Sequence, residues 1–272
     1  MADSRAIGVF DSGLGGLTVV KELIKCLPDE NILYFGDTGR VPYGTRSREI
    51  IRRYAAEDEA FLIKHDVKLI IAACGTVSSV AADTAKGLPV PFFEVVSHAV
   101  RAAVAATKNN KIGIIGTSAT VNSGEHKRQI LNLLPEAQVT DCSCSMFVPL
   151  VEEGWYSADD IVVLETVRRY LEPVIKAGVD TLILGCTHYP VLSSAISKVL
   201  GDGVTLINAG TATAAAVKQF LNENGGLNGE NNNAQHIFYV SDKPDSFRHT
   251  ASILLGEDID ETKVEQVDIS SL

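Results

Sequence analysis

Short, continuous runs of apolar residues alternate along the chain with longer segments in which apolar residues recur every three or four positions. The short runs predict strands, because a strand buried on both faces of a sheet is apolar throughout. The longer segments predict helices that bury one face. A first series of strands is predicted at 7–10, 32–35, 69–73 and 90–93, and a second series at 112–115, 139–141, 181–184 and 205–207.

Helices are predicted between most of these strands. They cover residues 17–26, 47–64, 78–87, 122–134, 158–176 and 191–200. A strand at 236–240, a helix at 246–255 and an edge strand at 264–269 are predicted towards the end. This alternation is typical of an α/β fold, with mainly parallel sheets covered by helices on both faces.

The two series of strands resemble each other weakly. Residues 7–13 parallel residues 112–118, since each segment is an apolar strand followed by small and polar residues. A later strand in each series is followed by a cysteine, Cys74 in the first and Cys186 in the second. A duplication would produce two similar, doubly wound domains that face each other across a cleft. Chance similarity between α/β strands explains the parallel equally well at this point.

Composition and charge limit the classes of protein. The chain has 272 residues, of which 46% are apolar, and its net charge of -10 comes without a dense basic block. These values suit a globular protein and argue against nucleic acid or an acidic membrane surface as a partner. No apolar run reaches the length of a bilayer span, and the start of the chain lacks the features of a secretory signal. We therefore expect a cytoplasmic protein.

Cys74 and Cys186 are the leading candidates for chemistry. Each follows a buried strand at its carboxyl end, where open α/β sheets bind ligands, and each precedes a predicted helix whose dipole favours a thiolate. One buried cysteine usually packs as a small apolar residue. Two in equivalent positions suggest a pair of acid/base groups that take a proton from one side of a carbon and return it on the other. Cys142 and Cys144 lack the partner pairs of a zinc site, so we predict no metal.

The glycine-rich turn at 10–16 suggests a dinucleotide site at first sight. Thr18 occupies the place of the third glycine, however, and Asp11 would repel a pyrophosphate. Asp11 instead suits a carboxylate that accepts protons or holds an ammonium group, or a helix cap. We therefore disfavour nucleotide binding.

Two loops after strands offer further contacts for a ligand. In the loop at 37–45, Tyr43 and Gly44 present backbone N–H groups that suit a carboxylate, although an ordinary turn would look the same. Thr117 and Thr120 follow the strand equivalent to the one that ends at Asp11, and they offer hydroxyl groups.

Five segments resemble motifs of glutamate racemases, which belong to the cofactor-independent aspartate/glutamate racemase superfamily. They are residues 8–16, 34–38, 40–44, 73–76 and 185–190. The resemblance spans nearly the whole chain and implies interconversion of L- and D-glutamate without a cofactor, to supply D-glutamate for peptidoglycan. It also implies an active site between two α/β domains, often in a homodimer. We predict one domain from 1–97 with 209–272, and a second from 98–208.

The resemblance also assigns roles to residues. It implies that Cys74 takes the α-proton from D-glutamate and that Cys186 takes it from L-glutamate. Asp11, His188 and Glu153 match auxiliary positions that tune the thiols. The predicted substrate contacts are Asp11, Ser12, Asp37, Pro42, Tyr43, Gly44, Gly75, Thr76, Thr117, Thr120, Thr187 and His188.

Gly75 departs from the family pattern, in which asparagine follows the first cysteine. Loss of that amide would cost about 1–3 kcal/mol if the opposing polar group stays buried and unpaired. An aspartate or broad-specificity amino-acid racemase, or a weakly active binding homologue, is therefore an alternative. A cysteine hydrolase using Cys186 and His188 is less favoured, because residues two apart at such a junction rarely face each other and because Cys74 stays unexplained.

Overall fold

The computed structural model describes residues 2–229, 234–242, 244–256 and 264–269. The strands in these ranges are β1 Ile7–Asp11, β2 Ile32–Gly36, β3 Leu69–Ala72, β4 Phe92–Glu94, β5 Lys111–Gly116, β6 Gln138–Ser143, β7 Thr181–Leu184, β8 Thr205–Asn208, β9 His236–Val240 and β10 Val264–Gln266. The α-helices are α1 Leu17–Cys26, α2 Arg48–Lys64, α3 Gly75–Val80, α4 Val95–Ala106, α5 Ser118–Ser123, α6 Glu125–Leu133, α7 Phe147–Glu152, α8 Ile161–Ala177, α9 Ser193–Leu200, α10 Ala209–Asn224 and α11 Pro244–Leu255. None of these helices is long and apolar enough to cross a membrane.

The strands form two separate sheets. The first has the order β10-β9-β2-β1-β3-β4, and the second has the order β6-β5-β7-β8. Every strand pairing in both sheets is parallel. The predicted α/β class with mainly parallel sheets is therefore confirmed.

The four strands of the second sheet repeat the order of β2-β1-β3-β4 in the first. In the first sheet β1 lies between β2 and β3, and in the second sheet β5 lies between β6 and β7. The chain therefore reverses its direction of winding at β1 and at β5. Ligands of open α/β sheets bind in the crevice outside the carboxyl ends of strands at such a switch point. The strand ends that flank it carry Asp11 and Cys74 in the first sheet, and Thr117 and Cys186 in the second.

The predicted strands are all present, but three helices were not predicted: α4, α7 and α10. The chain passes from β4 into α4 without a turn, because the Glu94 side chain caps the helix by accepting hydrogen bonds from Val96 N and Ser97 N at 2.7 and 2.9 Å. The helix predicted at 122–134 is divided at Gly124, which has a φ of 67°. Residues 78–87 form only the end of α3 and a 3-10 turn at Ala82–Ala85.

The strands of each sheet come from one of the two predicted segments. Those of the first sheet lie within 1–97 and 209–272, and those of the second lie within 98–208. Helix α4 crosses the predicted boundary at residue 97 and packs against the second sheet, while α10 packs against both α1 and α4. Buried residues of both halves therefore form one continuous core cluster.

Candidate active site

A cavity of about 370 Å³ opens where the carboxyl ends of β1, β3, β5 and β7 meet. Most of the predicted site residues line it. From the first half these are Asp11, Ser12, Pro42, Tyr43, Gly44, Cys74, Gly75 and Thr76, and from the second half Thr117, Cys186, Thr187 and His188. Asp37, Thr120 and Glu153 do not line this cavity. The two cysteines therefore share one pocket, each from its own sheet.

Cys74 directly precedes α3 and is only 5% exposed. Its Sγ lies 3.4 Å from Ser12 Oγ, to which the thiol donates a hydrogen bond. Burial and the negative charge of Asp11 raise the pKa of the Cys74 thiol to about 12, although the Ser12 hydroxyl and the Val77 N–H act in the opposite direction. We expected the helix N-terminus to lower the pKa of this thiol, but the loss of water around the buried sulfur outweighs that effect. Cys74 is therefore a neutral thiol at neutral pH.

Cys186 has a different environment, dominated by His188. Its Sγ lies 3.9 Å from Nδ1 of His188, so these two side chains do face each other, contrary to our expectation. On the other side of the ring, Nε2 donates to Glu152 Oε1 at 3.0 Å. Burial opposes a charge on His188, but the contacts with Cys186 and Glu152 prevail and raise its pKa to about 10. The imidazolium is therefore placed to stabilise negative charge at Cys186 Sγ.

The carboxylate beside His188 belongs to Glu152 and not to the predicted Glu153. Glu152 is the last residue of α7 and lines the cavity, whereas Glu153 follows the helix and does not line it. Helical spacing explains the difference, because residues three and four apart share a face. Val148, Pro149 and Glu152 all line the cavity. That spacing was the signal in the sequence that would have selected Glu152.

Asp11 is a buried carboxylate at the end of β1, with 1% of its surface exposed. Burial raises its pKa, and the positive charge of His188 lowers it in part. Its Oδ2 accepts a hydrogen bond from Gly13 N at 3.1 Å. Within the described part of the chain the buried Oδ1 has no hydrogen-bond partner, while Asp11 as a residue lines the cavity.

The predicted contact residue Asp37 lies behind the cavity wall and not on it. It is fully buried, and its carboxylate accepts hydrogen bonds from the Tyr43 hydroxyl, from Arg40 Nε at 2.5 Å and from Ser241 Oγ at 2.7 Å. The Tyr43 hydroxyl also lies 3.1 Å from Asp58 Oδ2. Asp37 therefore anchors the loop that presents Tyr43 and Gly44 to the cavity.

Hydroxyl groups from the two halves meet on the wall. Thr76 Oγ1 and Thr117 Oγ1 lie 3.1 Å apart, and Thr117 donates to Thr120 Oγ1 at 3.0 Å. Thr120 is 1% exposed and lies behind Thr117. Thr120 thus supports these hydroxyls from behind, and Thr76 and Thr117 can donate to a ligand carboxylate when their hydroxyl groups rotate away from these partners.

The glycine-rich turn after β1 packs against the other half of the protein. A Cβ at Gly15 would lie closer than 3.0 Å to Thr187 Oγ1 and to His188 Nδ1. Next to it, Thr18 Oγ1 donates a hydrogen bond to the Thr187 carbonyl oxygen at 2.8 Å. The turn therefore needs glycine for a close approach between protein segments.

Some residues of the cavity were not predicted. Besides Glu152, they include Ser118 and Ser145, which follow β5 and β6, and the apolar side chains of Leu14 and Val148.

Among the described residues, no group of three or more His, Cys, Asp and Glu side chains is arranged to hold a metal ion. The side chains that do line the cavity include two thiols, a carboxylate and a charged imidazole, which suit proton transfer to and from a ligand.

Comparison with known proteins places this site in a family. The chain is 44% identical over 270 residues to the glutamate racemase of Neisseria meningitidis, an alignment that covers 98% of this chain and 97% of that protein. The glutamate racemase of Francisella tularensis, solved in complex with D-glutamate, matches with a TM-score of 0.90 and 39% identity, over 99% of this chain and 100% of that one. The enzyme of Thermus thermophilus, solved with beta-chloro-D-alanine, matches with a TM-score of 0.88 and 44% identity, with the same coverage. Residues 7–217 match the model of the Asp/Glu/Hydantoin racemase family, and the chain belongs to that family.

Proposed function

We propose that this protein is a glutamate racemase that interconverts L- and D-glutamate, with Cys74 and Cys186 acting on opposite faces of Cα. The observation that carries the proposal is the position of the two thiols, which line one cavity at equivalent strand ends of two sheets with the same order. Membership of the racemase family and the glutamate racemases among its relatives support the choice of substrate.

The surroundings of the two thiols suggest how they divide the reaction. The charged His188 lies beside Cys186 Sγ, where it would stabilise negative charge, and burial keeps Cys74 a thiol. In the L-to-D direction, Cys186 takes the α-proton and Cys74 donates its own proton to the opposite face. In the D-to-L direction the roles are exchanged. Each pair of proton transfers therefore begins and ends with one thiol and one thiolate.

The carbanion formed between these steps needs stabilisation by the site. Backbone N–H groups at Tyr43 and Gly44, with the hydroxyls of Thr76 and Thr117, suit the α-carboxylate, on which negative charge develops. Donors fixed before the reaction stabilise such charge strongly where water is excluded. Asp11 suits the ammonium group, because it is a carboxylate residue in the cavity wall.

We extend the proposal to the cellular role. The enzyme would supply D-glutamate for peptidoglycan from the cytoplasm and would act as a homodimer. The family resemblance supports these three statements.

Incubation of L-glutamate with the purified protein in deuterium oxide, without added cofactor, tests the reaction. We expect the circular dichroism of the amino acid to decay to zero. Early in the reaction, deuterium should appear in D-glutamate and not in the remaining L-glutamate, because one base removes the proton and another returns a solvent deuteron. Exchange into the remaining L-glutamate would contradict the two-base mechanism.

The same assay with L-aspartate tests the main alternative, which Gly75 motivates. If the circular dichroism signal decays with aspartate but not with glutamate, the protein is an aspartate racemase. If the signal decays with both amino acids, it is a broad-specificity racemase. Two constant signals would leave a binding role.

A further inference from the structure

Helix α7, which carries Glu152, is held at both of its ends by the turn that follows β7. At the carboxyl end of the helix, Glu152 Oε1 lies 3.0 Å from Nε2 of His188. At the amino end, the hydroxyl of Tyr189 donates a hydrogen bond to the Cys144 carbonyl oxygen at 2.9 Å. That oxygen also accepts a hydrogen bond from Phe147 N at 3.1 Å, where α7 begins. Two consecutive residues of one turn therefore contact the two ends of one helix.

Tyr189 also closes the turn that carries Cys186. Its backbone N–H donates to the Cys186 carbonyl oxygen at 3.1 Å. Its side chain is fully buried, and the ring packs edge-on against the Phe147 ring, with 5.2 Å between the centroids and 71° between the planes. Tyr189 is thus bonded through its backbone to the residue that bears the thiol, and through its side chain to the start of α7.

The two ends of α7 are held with unequal strength. The Glu152 side chain is 47% exposed, and an ion pair that is open to water fixes two flexible side chains only weakly. The hydroxyl of Tyr189 lies in the interior, where a hydrogen bond is electrostatically stronger and where water does not replace a lost partner. The buried end therefore determines where α7 lies, and the position of α7 determines whether Glu152 reaches His188.

We infer that Tyr189 is a positioning residue that fixes α7, and with it Glu152, against His188. This inference rests on the proposed racemase function and deepens it. Tyr189 lines the cavity, but a tyrosine hydroxyl has one proton to donate, and the Cys144 carbonyl oxygen accepts it. The effect of Tyr189 on the reaction therefore passes through Glu152 and not through a bond to the substrate.

His188 reports on this contact, because Glu152 is one of the partners that raise its pKa to about 10. Among the described residues, the titratable groups that face His188 are Cys186 in its own turn, Glu152 from α7 and Asp11 from the end of β1. Of these three, Glu152 is the one on the helix that Tyr189 anchors. Loss of the tyrosine hydroxyl should therefore lower the pKa of His188 and move the alkaline limit of activity to lower pH.

The test compares Tyr189→Phe with Tyr34→Phe, which is a matched control. Both tyrosines are fully buried, and the Tyr34 hydroxyl likewise donates to a backbone carbonyl oxygen, that of Gly13 at 2.7 Å. Each variant keeps its ring and loses one buried hydrogen bond, so both should have lower midpoints in thermal unfolding. Only Tyr189→Phe should lower the pKa of His188, measured by NMR titration of the imidazole in the substrate-free protein, with His188→Gln to assign the signal.

A double variant separates the positioning of Glu152 from a general loss of stability. In a Glu152→Gln background, Tyr189→Phe should cause no further shift in the pKa of His188, because the carboxylate through which Tyr189 acts is absent. The loss of kcat/KM in Tyr189→Phe should be at most about fivefold, the effect expected for Glu152→Gln. An unchanged pKa of His188 in Tyr189→Phe, an equal shift in Tyr34→Phe, or a further shift in the double variant would overturn the inference.

If Tyr189→Phe does not fold, Phe147→Leu decides, because it removes the ring that packs against Tyr189 at the same end of α7. We expect the same downward shift in the pKa of His188, and a wild-type pKa would overturn the inference. An inactive wild type would instead contradict the proposed function. The NMR titration needs no turnover, so the two failures are distinguishable.

Discussion

Glu152 Oε1 lies 3.0 Å from Nε2 of His188, while its neighbour Glu153 lies outside the cavity. This contact helps keep a positive charge next to Cys186, because it stabilises the protonated imidazole. The two adjacent carboxylates therefore have different roles, and mutation separates them.

Glu152→Gln should reduce kcat/KM by about fivefold, a modest effect because Glu152 is 47% exposed and water screens the pair. It should also shift the alkaline limit of activity to lower pH, since His188 loses one of the partners that raise its pKa to about 10. Glu153→Gln is the control and should leave both quantities unchanged. Equal effects of the two substitutions would contradict the assignment.

Replacement of either cavity cysteine should abolish most of the activity. Cys74→Ala and Cys186→Ala should each lower kcat by about 10²- to 10⁴-fold, which is the usual contribution of a general acid or base. Cys26→Ala is the control, because Cys26 does not line the cavity. Thermal unfolding would show whether each variant is folded, and full turnover by a folded Cys74→Ala or Cys186→Ala protein would disprove the two-base mechanism.

The pKa of His188 predicts how stability depends on pH. It rises from 6.5 to about 10 on folding, so the folded state binds the proton more tightly than the unfolded state. The resulting stabilisation is fully present below pH 6.5 and is lost as the pH rises to about 10. The slope is at most about 1.4 kcal/mol per pH unit. Urea unfolding across this window should show a steeper loss in the wild type than in His188→Gln, and equal slopes would refute the prediction.

Tyr43→Phe should destabilise the loop next to the cavity. The substitution removes the hydroxyl that bonds Asp37 and Asp58, both of which are fully buried. Leaving a buried acceptor unpaired costs about 1–3 kcal/mol of unfolding free energy. The KM for glutamate should rise as well, because Tyr43 and Gly44 lose part of their support. Tyr156→Phe, at a residue that is 38% exposed, should change neither value in the same denaturation and kinetic measurements.

Lys68→Met should be the most destabilising of these substitutions outside the cavity. Lys68 pairs with Glu30, and each side chain is 2% exposed. Lys68 Nζ also donates to the carbonyl oxygens of Asp3 and Gly226 at 2.8 and 2.9 Å. Removal of one partner from a buried ion pair typically costs about 3–5 kcal/mol. The double variant with Glu30→Gln should recover part of this loss in urea unfolding, and no recovery would show that the ion pair is not the cause.

The sequence was sufficient to predict the strands of both sheets and most of the residues that line the cavity. Strands such as Thr181–Leu184 are buried on both faces, so an uninterrupted apolar run marks them. Their carboxyl ends then locate Asp11, Cys74, Thr117 and Cys186 without knowledge of any contact. Helix α4 was missed because no turn separates it from β4, and the capping role of Glu94 becomes visible only in the structure.

The remaining features depend on contacts between segments that are distant in sequence. Asp37 follows a strand, as a ligand contact would, but Tyr43, Arg40 and Ser241 occupy its carboxylate. The effect of burial on Cys74 likewise depends on which residues cover it. A close approach such as that of Gly15 to Thr187 leaves no periodic signal in either segment.

The unlike surroundings of the two thiols have a thermodynamic consequence. Mirror-image forms of glutamate have the same free energy in solution, so the ratio kcat/KM must be identical in the two directions whatever the protein provides. An imidazolium beside Cys186 and a buried carboxylate beside Cys74 therefore cannot favour one product at equilibrium. They can only change the KM and the kcat of each enantiomer together. The enantiomer with the higher KM must therefore have a kcat that is higher in the same proportion.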